Sequence, residues 1–198
     1  MELGIKKSNP QVRPKLRTPG IVDEILRTVV FIIVVTVLFD MAVPRSLVDG
    51  RSMQQTFQDA ERLIVSRVHY LITTPDRGDI IVFNSVDVSD PNVMLIKRVI
   101  GLPGDTVQFI DQNTYINGVQ INEPYINEMC STSRCPDKEV VLGEDEYFVM
   151  GDNRNNSRDS RVFGAVPIEN VVGRVVFRYW PLPRIGIIQH QNYERLNP

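Results

Sequence analysis

The sequence predicts a mainly β protein: an antiparallel β-sheet domain behind one N-terminal transmembrane helix. Three observations carry that prediction. Short β-rich runs recur after residue 44, with a turn signal between successive runs. The 13 prolines and 12 glycines are spread along the chain, which suits many short strands and turns better than a helical bundle. One apolar stretch near the N-terminus stands apart in composition from the rest of the chain.

The first element is a polar tail, residues 1–24, carrying Lys6, Lys7, Arg13, Lys15 and Arg17. Ile25–Val43 comes next as the anchor. Thr28–Phe39 contains no charge, while Arg27 and Asp40 stand near the ends, where a long side chain reaches the interface more easily than a short one. A spanning helix needs roughly 20 residues. Two other readings stay open for this stretch. One is a buried segment of a soluble core. The other is a cleaved secretory signal, for which the apolar part is long and no small-x-small site precedes Pro44. On the anchor reading, the positive-inside rule puts the tail in the cytoplasm and residues 44–198 outside it.

The remaining runs read as strands in order. Arg62–Val68 leads into His69–Thr73. Asp79–Asn84, Val93–Ile100, Thr106–Ile110, Thr114–Ile116 and Val119–Ile121 come next, then Glu139–Leu142, Glu146–Met150 and Val171–Tyr179. Turn signals separate them at Pro75–Gly78, Asp90–Asn92, Leu102–Asp105 and Asn117-Gly118. The last lies in Tyr115-Ile116-Asn117-Gly118-Val119-Gln120-Ile121, the strongest hairpin signal in the chain. Helical periodicity after Pro44 is weak, apart from a short turn near Ser52–Asp59. A hydrophobic content of 42% suffices for a core, and residues 44–198 read as one domain. A net charge of -2, with no long basic run outside the tail, gives no footprint for nucleic acid.

Cys130 and Cys135 bracket Ser-Thr-Ser-Arg. With no further Cys or His nearby, the spacing does not fit a zinc site. A disulfide is permitted outside the cytoplasm, and a pair of free thiols in a surface hairpin is the alternative.

Two residues suggest chemistry. Ser52 lies in Val48-Asp49-Gly50-Arg51-Ser52-Met53, two places after a glycine, where a tight turn can aim a backbone N–H at a developing oxyanion. Lys97 lies in Leu95-Ile96-Lys97-Arg98-Val99-Ile100. Apolar flanks desolvate an ammonium and lower its pKa, which turns lysine into a base. The chain has only 2 histidines, His69 and His190, and neither sits in a motif that would serve a serine. The pair points to Ser-Lys chemistry, a variant of the triad logic, with a plain turn serine and a lysine whose head reaches solvent as the alternatives. A dense polar loop, Gly151-Asp152-Asn153-Arg154-Asn155-Asn156-Ser157-Arg158-Asp159-Ser160-Arg161, comes after the Glu146–Met150 run. Its short hydrogen-bonding side chains suit the orientation of a base, and Asp159 and Arg161 suit a brace for the loop.

The ordered set resembles type I signal peptidases, the membrane-bound Ser-Lys endopeptidases that remove signal peptides. The resemblance rests on the N-terminal apolar stretch, Val48–Phe57, Arg77-Gly78-Asp79-Ile80-Ile81-Val82-Phe83, Lys97-Arg98-Val99-Ile100-Gly101-Leu102-Pro103-Gly104-Asp105 and Gly151–Gly164. It implies Ser52 as nucleophile and Lys97 as general base. It implies Ser157 as the serine that hydrogen-bonds the lysine, and Asp159 and Arg161 as the pair that braces the loop. Met53, Leu95 and Ile96 are then similar to residues lining pockets for small side chains before the cut. The resemblance implies secretory precursors as substrates, a lipid bilayer as surroundings and no metal or cofactor. A bacterial plasma membrane fits the anchor, and a thylakoid membrane is also compatible.

Two positions depart from the family's pattern. Gln55 stands where a proline is usual, so one φ constraint after the nucleophile is missing. Gly50 stands where some members carry a serine whose hydroxyl serves the oxyanion hole. Two rivals are a self-cleaving Ser-Lys repressor and a tethered β domain that only binds partners. The apolar stretch and the lack of a helix-turn-helix pattern count against the repressor.

Overall fold

A computed structural model of the chain describes residues 20–42, 45–89, 91–191 and 193. The basic residues Lys6–Arg17 and Val43, the end of the expected anchor, lie outside the described residues. The chain divides into a unit of residues 1–39 and a unit of residues 40–198.

Helix α1, Ile21–Ala42, accounts for residues 21–39 of the first unit. Asp23 and Glu24 in its first turn favour the positive end of the helix dipole. The Thr28 and Thr36 hydroxyls donate to the carbonyls four residues back, Glu24 and Ile32, so they expose no unpaired O–H. The apolar side chains from Ile21 to Leu38 are exposed. Among the described residues no helix is long and apolar enough to cross a membrane. Asp23, Glu24 and Arg27 interrupt the apolar run in the first two turns. The expected span is therefore not established by the helix.

Among its described residues the second unit has twelve strands. They are β1 (Arg45–Leu47), β2 (Arg62–Ser66), β3 (Ile80–Asn84), β4 (Met94–Gly101), β5 (Thr106–Ile110), β6 (Asn113–Ile116), β7 (Val119–Gln120), β8 (Lys138–Val141), β9 (Glu146–Met150), β10 (Val166–Pro167), β11 (Val171–Trp180) and β12 (Gly186–Ile187). Two short helices, α2 (His69–Ile72) and α3 (Ser160–Phe163), interrupt them. Every ladder is antiparallel. An 8-stranded sheet has the order β1-β2-β11-β3-β4-β9-β10, with β12 also on β11, and a 4-stranded sheet has the order β7-β6-β5-β8.

Strand alternation distributes the core. Ile80 and Val82 of β3 pack with Val48, Met53, Phe57 and Leu63. Ile81 and Phe83 pack on the other face with Val99, Tyr147 and Val149. β3 is buried on both faces, which is why it reads as an unbroken apolar run. A third cluster, with Ile100, Val107, Phe109, Ile116 and Phe148, lies against the smaller sheet and includes Cys130 and Cys135.

The mainly β antiparallel expectation holds, with differences in detail. β1, β10 and β12 are two or three residues each, too short to show a period in the sequence. The expected extension of β2 through His69–Thr73 is instead α2. Ser66 Oγ accepts from His69 N at 3.3 Å, and Thr73 N returns to His69 O at 3.2 Å, which closes a helical turn. The Asn117-Gly118 hairpin joins β6 to β7, and both residues have positive φ, 51° and 82°, as a type I′ turn requires.

One register leaves a strand edge unpaired. β4 pairs with β3 along Met94–Arg98 but with β9 only from Arg98 onward. The edge of β4 facing away from β3 is thus open at residues 94–97.

Candidate active site

Ser52 sits in a turn between β1 and β2. Gln54 N donates to Arg51 O at 3.2 Å and Phe57 N to Met53 O at 2.8 Å, so the turn is closed with Gln55 in the proline position. Gly50 has φ 95°, and its N–H donates to Asp59 Oδ1 at 2.9 Å. Buried Met53 and Phe57 fasten the turn to the core. Asn153 N donates to Ser52 O at 3.0 Å, and Asn153 Nδ2 donates to Arg51 O at 3.1 Å. The loop after β9 therefore grips the serine turn through its backbone.

Lys97 lies in β4 opposite Ile81 and is only 3% exposed. Its Nζ donates to Ser52 Oγ at 2.8 Å and to Ile96 O at 3.0 Å. Burial pushes the ammonium down from 10.5 to about 8, and the Asp159 and Asp152 carboxylates pull partly against that shift. At neutral lysine the same separation lets the Ser52 hydroxyl donate to Nζ.

Asp159 caps α3 and is fully buried. Its Oδ2 accepts from Gly151 N at 3.0 Å, and Arg161 grips both oxygens, Nε to Oδ1 at 2.8 Å and NH2 to Oδ2 at 2.7 Å. Burial alone would raise its pKa. The Arg161 guanidinium and the Gly151 N–H outweigh burial and hold the carboxyl below its ordinary value. Cys130 and Cys135 are disulfide-bonded, and Arg161 NH1 lies 3.0 and 3.2 Å from their two sulfurs. The disulfide thus backs the guanidinium that braces Asp159.

Ser157 is brought to the same place without the expected bond to lysine. Its buried Oγ makes no hydrogen bond of ordinary geometry, although the hydroxyl is near enough to Asp159 to favour that carboxylate slightly. Gly151 explains the crowding. A Cβ there would meet Ser157 Oγ at 2.3 Å and Ser52 O at 2.4 Å. Only a glycine lets the serine turn and Ser157 pack against the same backbone atom.

Sequence reasoning assigned no role to Asp152, Arg98, Arg154 or Thr56, although all lie within the motif blocks. Arg98 grips Asp152 through Nε–Oδ1 at 2.8 Å and NH2–Oδ2 at 2.7 Å, and its NH1 donates to Gly78 O at 2.9 Å. The guanidinium carbon lies 4.0 Å from the centre of the Tyr125 ring. Thr56 Oγ1 donates to Asp152 Oδ2. Asp152 therefore joins the serine turn to the residue beside Lys97. Arg154, also buried, pairs with Glu123 and donates to Gly151 O at 3.1 Å. Arg residues inside polar motifs were the available signal, but their partners lie far away in sequence.

A cleft of about 150 Å³ opens over the pair, lined by residues 47–50, Ser52, Met53 and residues 93–97. Met53, Leu95 and Ile96 all face it. The 8-stranded sheet curls so that its terminal strand β1 and the open edge of β4 stand across this cleft from each other. Both histidines are elsewhere. His190 Nδ1 accepts from Ile80 N at 3.2 Å, and burial, aided by Arg174, pushes its pKa down to about 4 against the pull of Asp79. His69 lies 3.0 Å from Arg174.

Known proteins resemble the chain over most of its length. The family described as "Signal peptidase, peptidase S26" matches residues 21–180. A probable signal peptidase I-2 of Synechocystis is 41% identical over 144 residues, covering 71% of this chain and 65% of that protein. A signal peptidase I of Leptolyngbya laminosa is 42% identical over 144 residues, 70% of each chain. A signal peptidase IB of Staphylococcus aureus is 32% identical over 176 residues, 81% of this chain and 90% of the relative. A crystal structure of a signal peptidase I from Enterococcus faecalis has 38% identity, covers 52% of this chain and 97% of its own, and has a TM-score of 0.45. The chain spans about 65% of the length of the Synechocystis relative. A family match running from the N-terminal helix to the end of β11, together with relatives of this identity, shows that the chain belongs to the signal peptidase family, peptidase S26, a family of serine hydrolases.

Proposed function

We propose that the chain is an endopeptidase that removes N-terminal signal peptides from translocated precursors, cutting after small residues by Ser-Lys catalysis. The observation that carries the reading is the 2.8 Å approach of Lys97 Nζ to Ser52 Oγ at a lysine buried enough to lose its proton near pH 8. Neutral Lys97 takes the Ser52 proton as Oγ attacks the scissile carbonyl, and the acyl-enzyme forms. Protonated Lys97 then gives the proton to the leaving amine and, neutral again, activates water for deacylation. The Ser52 N–H, which makes no hydrogen bond among the described residues, is one donor for the oxyanion. Ser157 is the partner of the ammonium as it forms. Its buried, unpaired hydroxyl supports that role, since such groups are costly unless they meet a partner at some stage.

The substrate lies extended along the open edge of β4, adding a strand across the cleft from β1. Met53, Leu95 and Ile96, which line the cleft, are assigned to the pockets for small side chains. The helix α1 is the element assigned to the bilayer. Its exposed apolar run supports that, and residues outside the described helix would have to complete a crossing. A bacterial plasma membrane is the assigned setting, with the catalytic unit on the outer side.

The test is processing of an Ala-x-Ala precursor by the purified chain, with N-terminal sequencing of the product. Ser52→Ala and Lys97→Ala are each expected to reduce cleavage by at least about 1,000-fold. Retained cleavage by either variant would sink the dyad.

A further inference from the structure

We propose that Thr56 is a positioning residue for the nucleophile, held from outside the catalytic loop by Arg178 and Arg184 over the buried Glu61. The proposal rests on the proposed peptidase activity, since the nucleophile that Thr56 positions is Ser52.

Two contacts tie the serine turn to the loop after β9. Asn153 N donates to Ser52 O at 3.0 Å at the start of the turn, and Thr56 Oγ1 donates to Asp152 Oδ2 near its end. Asp152 and Asn153 are neighbours, so the loop meets the turn at two points four residues apart. A single hydrogen bond would leave the turn free to pivot, while two set its direction. Direction matters because Ser52 Oγ stands 2.8 Å from Lys97 Nζ, and the proton has to pass between those atoms. Asp152 is itself fixed to the lysine strand by Arg98, through Nε at 2.8 Å and NH2 at 2.7 Å. Thr56 therefore sets the serine turn against the residue that follows the base in β4.

The backbone of Thr56 is held separately. Its carbonyl accepts from Arg178 NH1 of β11 at 3.2 Å and from Arg184 NH2 at 3.4 Å. Arg178 Nε donates to Arg184 O at 2.6 Å, which fastens the short turn Leu182–Arg184 to the strand before it. Both guanidiniums pair with Glu61, Arg178 NH1 with Oε2 at 3.1 Å and Arg184 NH1 with Oε1. Glu61 is 1% exposed, and a buried carboxylate is costly unless it is paired. Its charge holds the two guanidiniums together against their mutual repulsion and aims both at one backbone carbonyl. The next residue, Phe57, is fully buried, and its N–H donates to Met53 O at 2.8 Å. Thr56 is thus fixed through its hydroxyl, its carbonyl and its neighbour in the core. The arginines act on Ser52 only through this turn, so their part in catalysis is placement.

The experiment uses the full chain in detergent and an Ala-x-Ala precursor, with kcat and KM measured separately and the folded fraction at the assay temperature recorded for each variant. Thr56→Val keeps the shape and removes the hydroxyl. It is expected to lower kcat by roughly 10- to 100-fold, the scale of a hydrogen bond to a charged group, with KM within about 2-fold of wild type. Thr56→Ser returns the hydroxyl and is expected to bring kcat back to within about 3-fold of wild type. Arg184→Met leaves Glu61 paired with Arg178 and is expected to lower kcat by about 3- to 10-fold at unchanged KM. A wild-type kcat in Thr56→Val, a loss carried by KM alone, or an equal kcat loss in Thr56→Ser overturns the positioning role while leaving the peptidase reading in place. A kcat loss matched by the unfolded fraction overturns it too. A wild-type kcat in Arg184→Met overturns the role given to the arginines. A wild-type chain that cuts no precursor overturns the peptidase reading together with the positioning role.

Discussion

Lys97 is a residue whose burial costs stability. A lysine with pKa lowered from 10.5 to about 8 by burial binds its proton less tightly folded than unfolded. The resulting penalty is fully present below pH 8, shrinks between about 8 and 10.5, and vanishes above that range. A shift of this size corresponds to on the order of 3 kcal/mol. Lys97→Met is therefore expected to raise the urea midpoint at pH 7 and to converge with the wild type near pH 10.5. A midpoint unchanged at pH 7 would mean that the lysine is not desolvated as the structure indicates. The same group sets the direction of the activity profile. With the neutral amine as the proposed base, kcat/KM should fall about tenfold per pH unit below about 8 and level off above it. At this scale the sequence marked Ser52 and Lys97 by their flanks. It did not mark Arg98 and Asp152, because an ion pair leaves no local period, and these two residues are 54 positions apart.

Among the elements, the loop between β9 and α3 organises the site. It touches the serine turn through Asn153, the lysine strand through Asp152 and its own helix cap through Asp159. Gly151 is the point where those contacts meet. Gly151→Ala would place a methyl group 2.4 Å from the Ser52 carbonyl and 2.3 Å from Ser157 Oγ, and the carbonyl is backbone that cannot swing aside. Misplacing a nucleophile by about 1 Å costs on the order of 100-fold. The expected result is a kcat lower by about that factor, with far-UV circular dichroism unchanged. A variant with normal kcat would show that the turn moves freely past the loop. The strand runs and the Asn117-Gly118 hairpin were legible in advance because side-chain alternation and turn chemistry are local. The short strands β1, β10 and β12 were not, because pairing partners rather than their own two or three residues define them.

For the molecule as a whole, three apolar clusters lie entirely within residues 48–193. A protein of residues 45–198 is accordingly expected to keep a cooperative thermal transition within about 5 °C of the full chain, since no core residue is lost. It should still cut a soluble Ala-x-Ala peptide. If α1 is the bilayer element, the full chain floats with liposomes in a density gradient and the shortened one does not. Flotation of the shortened protein would transfer the membrane contact to the catalytic unit. By itself, the sequence determined the antiparallel β class, the turns that delimit it and the ordered blocks that mark the family. All of these follow from residue types at short spacing. Only the tertiary structure decided which groups surround the lysine. The curl of the larger sheet brings β1, the edge of β4 and the loop after β9 together, and it left Ser157 unpaired while giving Asp152 two partners. Burial and charge pairing depend on that closure, and contacts between residues 31 to 96 positions apart exist only once the chain has folded.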